Sequence, residues 1–268
     1  QASCSRSVSL TGSDDGQYNH DLYMNYVDQL EKSKNNKAIL LYVNSPGGTV
    51  YESDELYLKL MEYKEKTKRP VYAYFGSQAC SGAYYISMAA DKIYTNRNTW
   101  TGSIGVIVSL TNYKKLYDKL GIKEIDITSG KNKSMGSGGL DLTDEQRDIL
   151  QSLVDEAYDQ FAGIVSEGRG LDINTVKKIA DGRIYSAKQA KEKGLVDEIG
   201  SEDELKALIR KENKLGKDVV YDVAKSSGSD FLSGLMGSVQ KIMPKSDSEL
   251  AVDIVENKGK GVLMYYAD

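Results

Sequence analysis

Two uninterrupted apolar runs stand out along the chain, AILLYV at 38–43 and VYAYF at 71–75, each bounded by polar residues. Runs of this length without alternation predict strands covered on both faces. Between them, ESDELYLKLMEYKEKTK spaces its apolar positions for a helix that Pro70 stops. Upstream, His20 to Ser33 places Leu22, Tyr26, Val27 and Leu30 on one helical face. After the second run, SGAYYISMAA predicts a buried helix opening at Ser81. KIYT, SIGVIV and KEIDIT predict further strands, with a short helix over 111–120 closed by Gly121. Strands and helices alternating at these spacings indicate an α/β fold with parallel βαβ construction.

The second half is more helical. Thr143 and Gln146 form a capping box, and Ile149, Leu150, Leu153, Val154, Ala157, Phe161, Ile164 and Val165 follow as one apolar stripe running to about Ser166. Shorter helices are expected over 174–180, after Ser186, and over 202–213. Residues 1–18 are polar apart from a β-like SVSL. The loop SGKNKSMGSGG (129–139) is almost free of apolar residues, as a linker or functional loop would be. The pattern divides the chain into a main domain over 1–213 and an extension over 214–268. That extension is Gly/Ser-rich with an amphipathic middle, and it closes on the apolar GVLMYYAD.

Composition narrows the function classes. The 268 residues suffice for one large α/β domain, and 40% hydrophobic with 28% charged residues is an ordinary globular balance. A net charge of −4 gives no reason to expect nucleic acid as a partner. Two cysteines cannot build a disulfide framework or a Cys-rich metal site, and no cofactor or metal is expected. No apolar segment approaches the roughly 20 residues that span a bilayer. The chain does not start with Met, so an upstream signal or membrane anchor is expected to have been removed.

The stretch GSQACSGAYYISMAADKIY raises the chemical question. Ser81 lies at a strand-to-helix junction, where unpaired N–H groups point at developing negative charge. That suits an acyl-transfer nucleophile, with the Gly82 N–H facing the oxyanion and Gly48, from the turn NSPGG, as a second donor. The plainer alternative is that Ser81 only caps the helix.

An alcohol needs a base. The one histidine, His20, sits in GQYNHDLY and reads as a solvated cap residue. Cys80 reads as a small packing residue. A lysine can serve if it is neutral, which requires a shift of about 2.5–3.5 units down from its ordinary pKa, roughly 3.5–5 kcal/mol of desolvation. Composition does not choose among the lysines.

NSPGG (44–48), CSGAYYISMAADKIY (80–94), TGSIGV (101–106), GKNKS (130–134) and GRIYSAKQAKEKGLVDEIG (182–200) together resemble the signal peptide peptidase SppA family. These are serine–lysine peptidases with the ClpP/crotonase fold, repeated ββα units around a parallel sheet, here with a C-terminal helical extension. The match in order and spacing covers about 37–205. It implies Ser81 as nucleophile, Lys133 as general base, Ser103 as the serine that orients the lysine amine, and Gly48 with Gly82 as the oxyanion hole. Lys131 competes for the base role. Tyr84 and Tyr85 are expected to favour apolar substrate pockets.

The resemblance also implies partners. Half-size members form homo-oligomeric rings in which the lysine of one protomer meets the serine of the next, and their substrates are hydrophobic peptides such as membrane-released signal peptides. The apolar C-terminal tail is expected either to enter a neighbour's active site or to end as a strand on the sheet edge. A bacterial cell membrane location follows, with the catalytic domain on the extracytoplasmic side. Two rivals share the fold: a crotonase-type acyl-CoA enzyme and an inactive membrane-associated scaffold.

Overall fold

The computed structural model describes residues 3–6, 18–217, 219–222 and 264–265. In chain order the elements are β1 (Ser3–Arg6), α1 (His20–Lys32), β2 (Asn36–Ser45), β3 (Gly48–Thr49), α2 (Val50–Thr67), β4 (Val71–Cys80), α3 (Gly82–Ser87), β5 (Lys92–Thr95) and β6 (Trp100–Gly102). There follow α4 (Lys114–Leu120), α5 (Asp144–Arg169), α6 (Ile173–Ile179), β7 (Ile184–Ser186), α7 (Ala187–Glu192), β8 (Glu198–Ile199), α8 (Glu202–Glu212), β9 (Val220–Asp222) and β10 (Met264–Tyr265).

The two apolar runs are the centre of the main sheet. β2 and β4 pair in parallel from Ile39↔Val71 to Ser45↔Ala79. Both faces are covered, as the missing alternation demands. Ile39, Leu41, Val43, Val71, Ala73 and Phe75 join the core beneath α1, α2, α3 and α5. Ala38, Leu40, Tyr72 and Tyr74 face Leu205 and Ile209 of α8 on the other side.

β4 then forks. Its first half pairs with β5 (Tyr72↔Lys92 to Phe75↔Thr95), and its last three residues pair with β6 (Gln78↔Trp100 to Cys80↔Gly102). The strand therefore leaves one neighbour and delivers its C-terminal end to another. The turn to α3 follows at once, and the strand end, the α3 start and the residues after β6 converge there. This forked, mostly parallel α/β arrangement of repeated strand–strand–helix units is the expected ClpP/crotonase-like class.

Local signals account for most helix ends. The Thr143–Gln146 capping box opens α5, Ser186 with Gln189 opens α7, and Ser201 with Glu204 opens α8. Gly121 closes α4 in the left-handed region at φ 70°. In α1 the buried stripe is Tyr23, Val27 and Leu30, so Tyr23 takes the place expected of Leu22.

Two expected strands are absent. Residues 103–108 and 123–128 form no strand, although Ile107, Ile125 and Ile127 keep a strand-like pattern and are 48%, 79% and 99% exposed. A strand needs a continuous ladder, and among the described residues the bonds of Ser103 N–H to Arg183 O and of Gly182 N–H to Ile104 O are not continued into one. The first half of the α5 stripe is only half-buried, with Leu153 44% exposed. The division at 213/214 follows the end of α8, and most of the extension lies outside the described residues, as does SVSL at 7–10. Within the extension, Met264 and Tyr265 pair antiparallel with Thr49 and Gly48, forming a separate two-stranded sheet.

Candidate active site

Ser81 sits where β4 ends and α3 begins, in a backbone conformation side chains rarely adopt, φ 55° and ψ −121°. Such conformations cost about 1–3 kcal/mol and persist where the surroundings enforce them. Enforcement is visible. The Ser81 N–H donates to the Gly102 carbonyl at 2.8 Å, and its own carbonyl accepts the first α3 bond from Tyr85 at 2.9 Å. The side chain makes no capping bond. Its Oγ is buried and has no hydrogen-bond partner among the described residues. A buried hydroxyl left unpaired costs about 1–3 kcal/mol, so the simple capping alternative fails: this serine gives up a bond that a capping serine would make.

The donors expected around it lie close by. A Cβ placed on Gly82 would stand 3.2 Å from the Gly48 nitrogen and would collide with Ser53 Oγ. Glycine is therefore required at 82 by close approach, and the β3 backbone lies directly against the start of α3. Because Gly82 opens α3, its N–H has no partner within the helix. Ser53 was not singled out from the sequence. It is held by donating to the Thr49 carbonyl at 2.7 Å, and it backs Gly82 from α2.

Ser103 follows β6 and is also in the left-handed region, at φ 47°. It is buried, and its N–H donates to Arg183 O at 2.8 Å. Only four non-glycine residues among those described have positive φ, and two of them, Ser81 and Ser103, meet at this junction.

The lysines are elsewhere in the chain. Lys133 lies in the turn-rich segment after α4, exposed, with no hydrogen bond or ion pair to its ammonium among the described residues. Lys131 is committed to Glu145 at 2.7 Å, which also holds the Glu145 carboxyl below its ordinary range. Since Ser81 Oγ has no partner among the described residues, none of the described lysines of this chain bonds it.

Three expectations differ from what is found. Tyr84 and Tyr85 are fully buried, with Tyr84 Oη donating to Leu195 O at 2.7 Å and Tyr85 Oη to Asp54 at 2.5 Å. They pack the core and do not line a pocket, because α3 turns that face inward. The cleft of about 180 Å³ beside Gly48 and Gly82 is lined instead by Tyr18, Thr49, Glu52, Ser53, Ala83 and Ile86, among others. His20 is not a solvated cap: Asn19 caps α1, and the imidazole bridges Tyr18 and Glu55 at 2.8 and 2.9 Å. Its pairing could not be read from a stretch as polar as GQYNHDLY.

Cys80 is the packing residue expected, buried and with its thiol pushed up to about 11 by burial, which removes it as a thiolate nucleophile. Among the described residues, no three His, Cys, Asp or Glu side chains cluster as a metal ion would need, and no helix is long and apolar enough to cross a membrane.

The chain is similar to known proteins. Residues 63–216 match the model of Peptidase family S49, and residues 3–101 match that of Clp protease. An Enterococcus faecium protein provisionally named signal peptide peptidase SppA is 43% identical over 83% of this chain and 64% of its own length. A Methanocaldococcus jannaschii protein provisionally named a protease is 42% identical over 80% of this chain and 69% of its own. Protease 4 of Haemophilus influenzae is 38% identical over 63% of the chain, but over only 27% of its own length. The chain thus spans about two thirds or less of these curated relatives. With the first match covering more than half the chain and including Ser81, Ser103 and the 130–134 lysines, the chain belongs to Peptidase family S49.

Proposed function

We propose that the chain is a serine endopeptidase in which Ser81 attacks the scissile carbonyl and Lys133, supplied by an adjacent copy, takes its proton. Signal-peptide remnants and similar hydrophobic peptides are the substrates. The observation that carries this reading is Ser81 itself, held at φ 55° with Oγ buried and unpartnered beside the Gly82–Gly48 approach. The neighbouring N–H groups of Gly48 and Gly82 suit the tetrahedral oxyanion. Ser103, at the same junction, then orients the lysine amine. The attack forms an acyl-enzyme and moves the hydroxyl proton to lysine, which passes it to the leaving amine; water reverses the sequence.

A shared dyad reconciles an exposed Lys133 with a base that must be uncharged. Ile125 and Ile127 stand in solvent, and a cavity of about 720 Å³ opens between Leu110, Lys131, Ser134, Leu150 and Val154. An adjacent copy that covered these surfaces would dry the loop carrying Lys133 and give the unpaired segment 122–128 a strand to bond. Substrate is taken to lie on β3, because Met264 and Tyr265 already pair there antiparallel. The same pairing makes the tail a tethered competitor, in its own site or that of a neighbour. Attachment to a bacterial membrane, with this domain outside the cytoplasm, accords with the signal-peptide name of the Enterococcus relative.

Mixing tests the reading. Ser81→Ala and Lys133→Ala are each expected to be inactive on a hydrophobic peptide and unlabelled by a serine-directed acylating probe. When the two are unfolded together and reassembled, sites combining an intact Ser81 with an intact Lys133 recover part of the activity. No recovery in mixed particles, or a labelled Ser81 that survives Lys133→Ala, would reject Lys133 as the shared base.

A further inference from the structure

The cleft beside Gly48 and Gly82 has one wall that the catalytic reading does not use. Tyr18 precedes α1, and its side chain is held by two residues. It stacks on Tyr23 with centroids 5.4 Å apart and planes 20° from parallel. It lies against His20 at 5.8 Å, and its hydroxyl meets His20 Nδ1 at 2.8 Å. His20 Nε2 in turn meets Glu55 Oε2 at 2.9 Å, and Glu55 Oε1 accepts from Tyr51 Oη at 2.6 Å.

The direction of these bonds follows from chemistry. The Glu55 carboxyl is held below its ordinary range by the hydrogen bonds of Tyr51 and His20, so it is ionised and can only accept. His20 Nε2 therefore carries the hydrogen. In the neutral ring Nδ1 is left as an acceptor, and Tyr18 donates to it. Burial, then the nearby Glu52, pushes the Tyr18 phenol up, so it keeps the proton it donates. Glu55 is on α2, the helix that begins directly after β3. The chain Glu55–His20–Tyr18 thus ties the cleft wall to the backbone that carries Gly48.

We infer that Tyr18 is a specificity-determining residue, a fixed wall that sets how large a side chain the cleft admits, and that His20 and Glu55 are its positioning residues. The inference rests on the peptidase reading and deepens it. An extended peptide lying on β3, as Met264 and Tyr265 do, passes the cleft mouth, because Gly48 and Thr49 are both lining residues. At about 180 Å³ the cleft is smaller than the roughly 300–1,000 Å³ of a small-molecule site, so it takes one side chain. Ala83 and Ile86 contribute apolar lining, while Glu52, also in the lining, opposes an acidic group.

The test uses peptides that differ only in the residue on the acyl side of the scissile bond, Ala, Leu, Phe or Glu, and reads the ratio of kcat/KM between them. That ratio does not depend on how much protein is folded. The wild-type chain is expected to prefer the apolar residues over Glu. Tyr18→Ala raises the Phe/Ala ratio by about tenfold or more, the scale on which pockets discriminate size. Tyr18→Phe and His20→Ala, which leave the ring in place but untie it, raise the ratio less, and Glu55→Gln, which keeps an acceptor for His20, holds the wild-type ratio. Should Tyr18→Ala fail to fold, Tyr18→Phe and His20→Ala decide by the same ratio. A Phe/Ala ratio unmoved in these variants, with wild-type peptides still cleaved, overturns the assignment. A wild-type chain that cleaves none of the peptides rejects the peptidase reading instead.

Discussion

The backbone nitrogen of Ser81 donates to the carbonyl of Gly102 at 2.8 Å, so the residue before Ser103 fixes the pivot on which the nucleophile turns. Gly102 itself has φ +87°, and a Cβ there would stand 2.7 Å from the Tyr185 ring and 3.0 Å from the Arg183 carbonyl. Gly102→Ala must both strain the backbone and push β6 away from β7. A stability loss of about 2–4 kcal/mol is expected from the two costs together. Because the displaced carbonyl is the one that holds Ser81, acylation by a serine-directed probe should fall further than the folded fraction does. The check is probe labelling normalised to folded protein by circular dichroism; labelling that merely tracks folding would show that Gly102 has no part in setting Ser81.

The unpaired Ser81 Oγ leads to a coupling prediction. With Lys133 replaced by Ala, the hydroxyl has nothing to bond, and removing it in Ser81→Ala should stabilise the fold by about 1–3 kcal/mol. In the wild-type assembly the same change strands the lysine amine and should bring no gain. The difference between the two is the coupling energy of the dyad, about 0.5–3 kcal/mol for residues in contact. Denaturant melts of the four variants measure it. A coupling indistinguishable from zero would separate Lys133 from Ser81.

How much of this was readable from the sequence depended on whether the information was local. β2 and β4 announce themselves as apolar runs because both faces are covered by the chain's own helices. The capping boxes at Thr143, Ser186 and Ser201 are decided within one turn of backbone. Ser81 and Gly82 could be located by their junction, yet the reason Gly82 must be glycine, the collision with Ser53, comes from residues 29 positions away. SIGVIV and KEIDIT carry strand signals that form no strand among the described residues, since a strand is defined by a partner. Tyr84 and Tyr85 misled because adjacency to a nucleophile says nothing about which way a short helix faces. His20 in a polar stretch gave no hint of Glu55, 35 residues on.

Acid stability should hinge on Asp197. Burial alone would raise its pKa, but the fork of Arg169 at 2.8 and 3.1 Å and the Ile93 N–H at 2.7 Å outweigh that and hold it below its ordinary value of 3.8. A carboxyl whose folded pKa is depressed contributes stability that is complete above the unfolded value and is lost as pH falls toward the folded one. Asp197→Asn should therefore cost about 1–3 kcal/mol at neutral pH, and the cost should shrink below about pH 4 as the wild-type carboxyl takes up its proton. Arg169 is the more buried partner, at 7% exposure against 36%, so much of the neutral-pH loss is its stranded charge. Urea melts of both proteins across this range provide the measurement; a difference independent of pH would mean that the pair contributes by packing alone.

The pairing of Met264 with Thr49 and of Tyr265 with Gly48 puts the tail on the backbone that a substrate would use. A tethered segment competes at an effective concentration near the millimolar range, well above that of a short peptide in an assay. Removing residues 262–268 should therefore lower KM for a short hydrophobic peptide while leaving kcat little changed, since the chemistry at Ser81 is untouched. The same truncation should make probe labelling faster. If the tail is also a substrate, mass spectrometry of the active full-length chain will find it shortened with time, and Ser81→Ala will keep it whole. An intact tail under full activity would end self-cleavage but leave competition standing; an unchanged KM on truncation would remove competition too, and with it the argument that β3 is where an extended peptide binds.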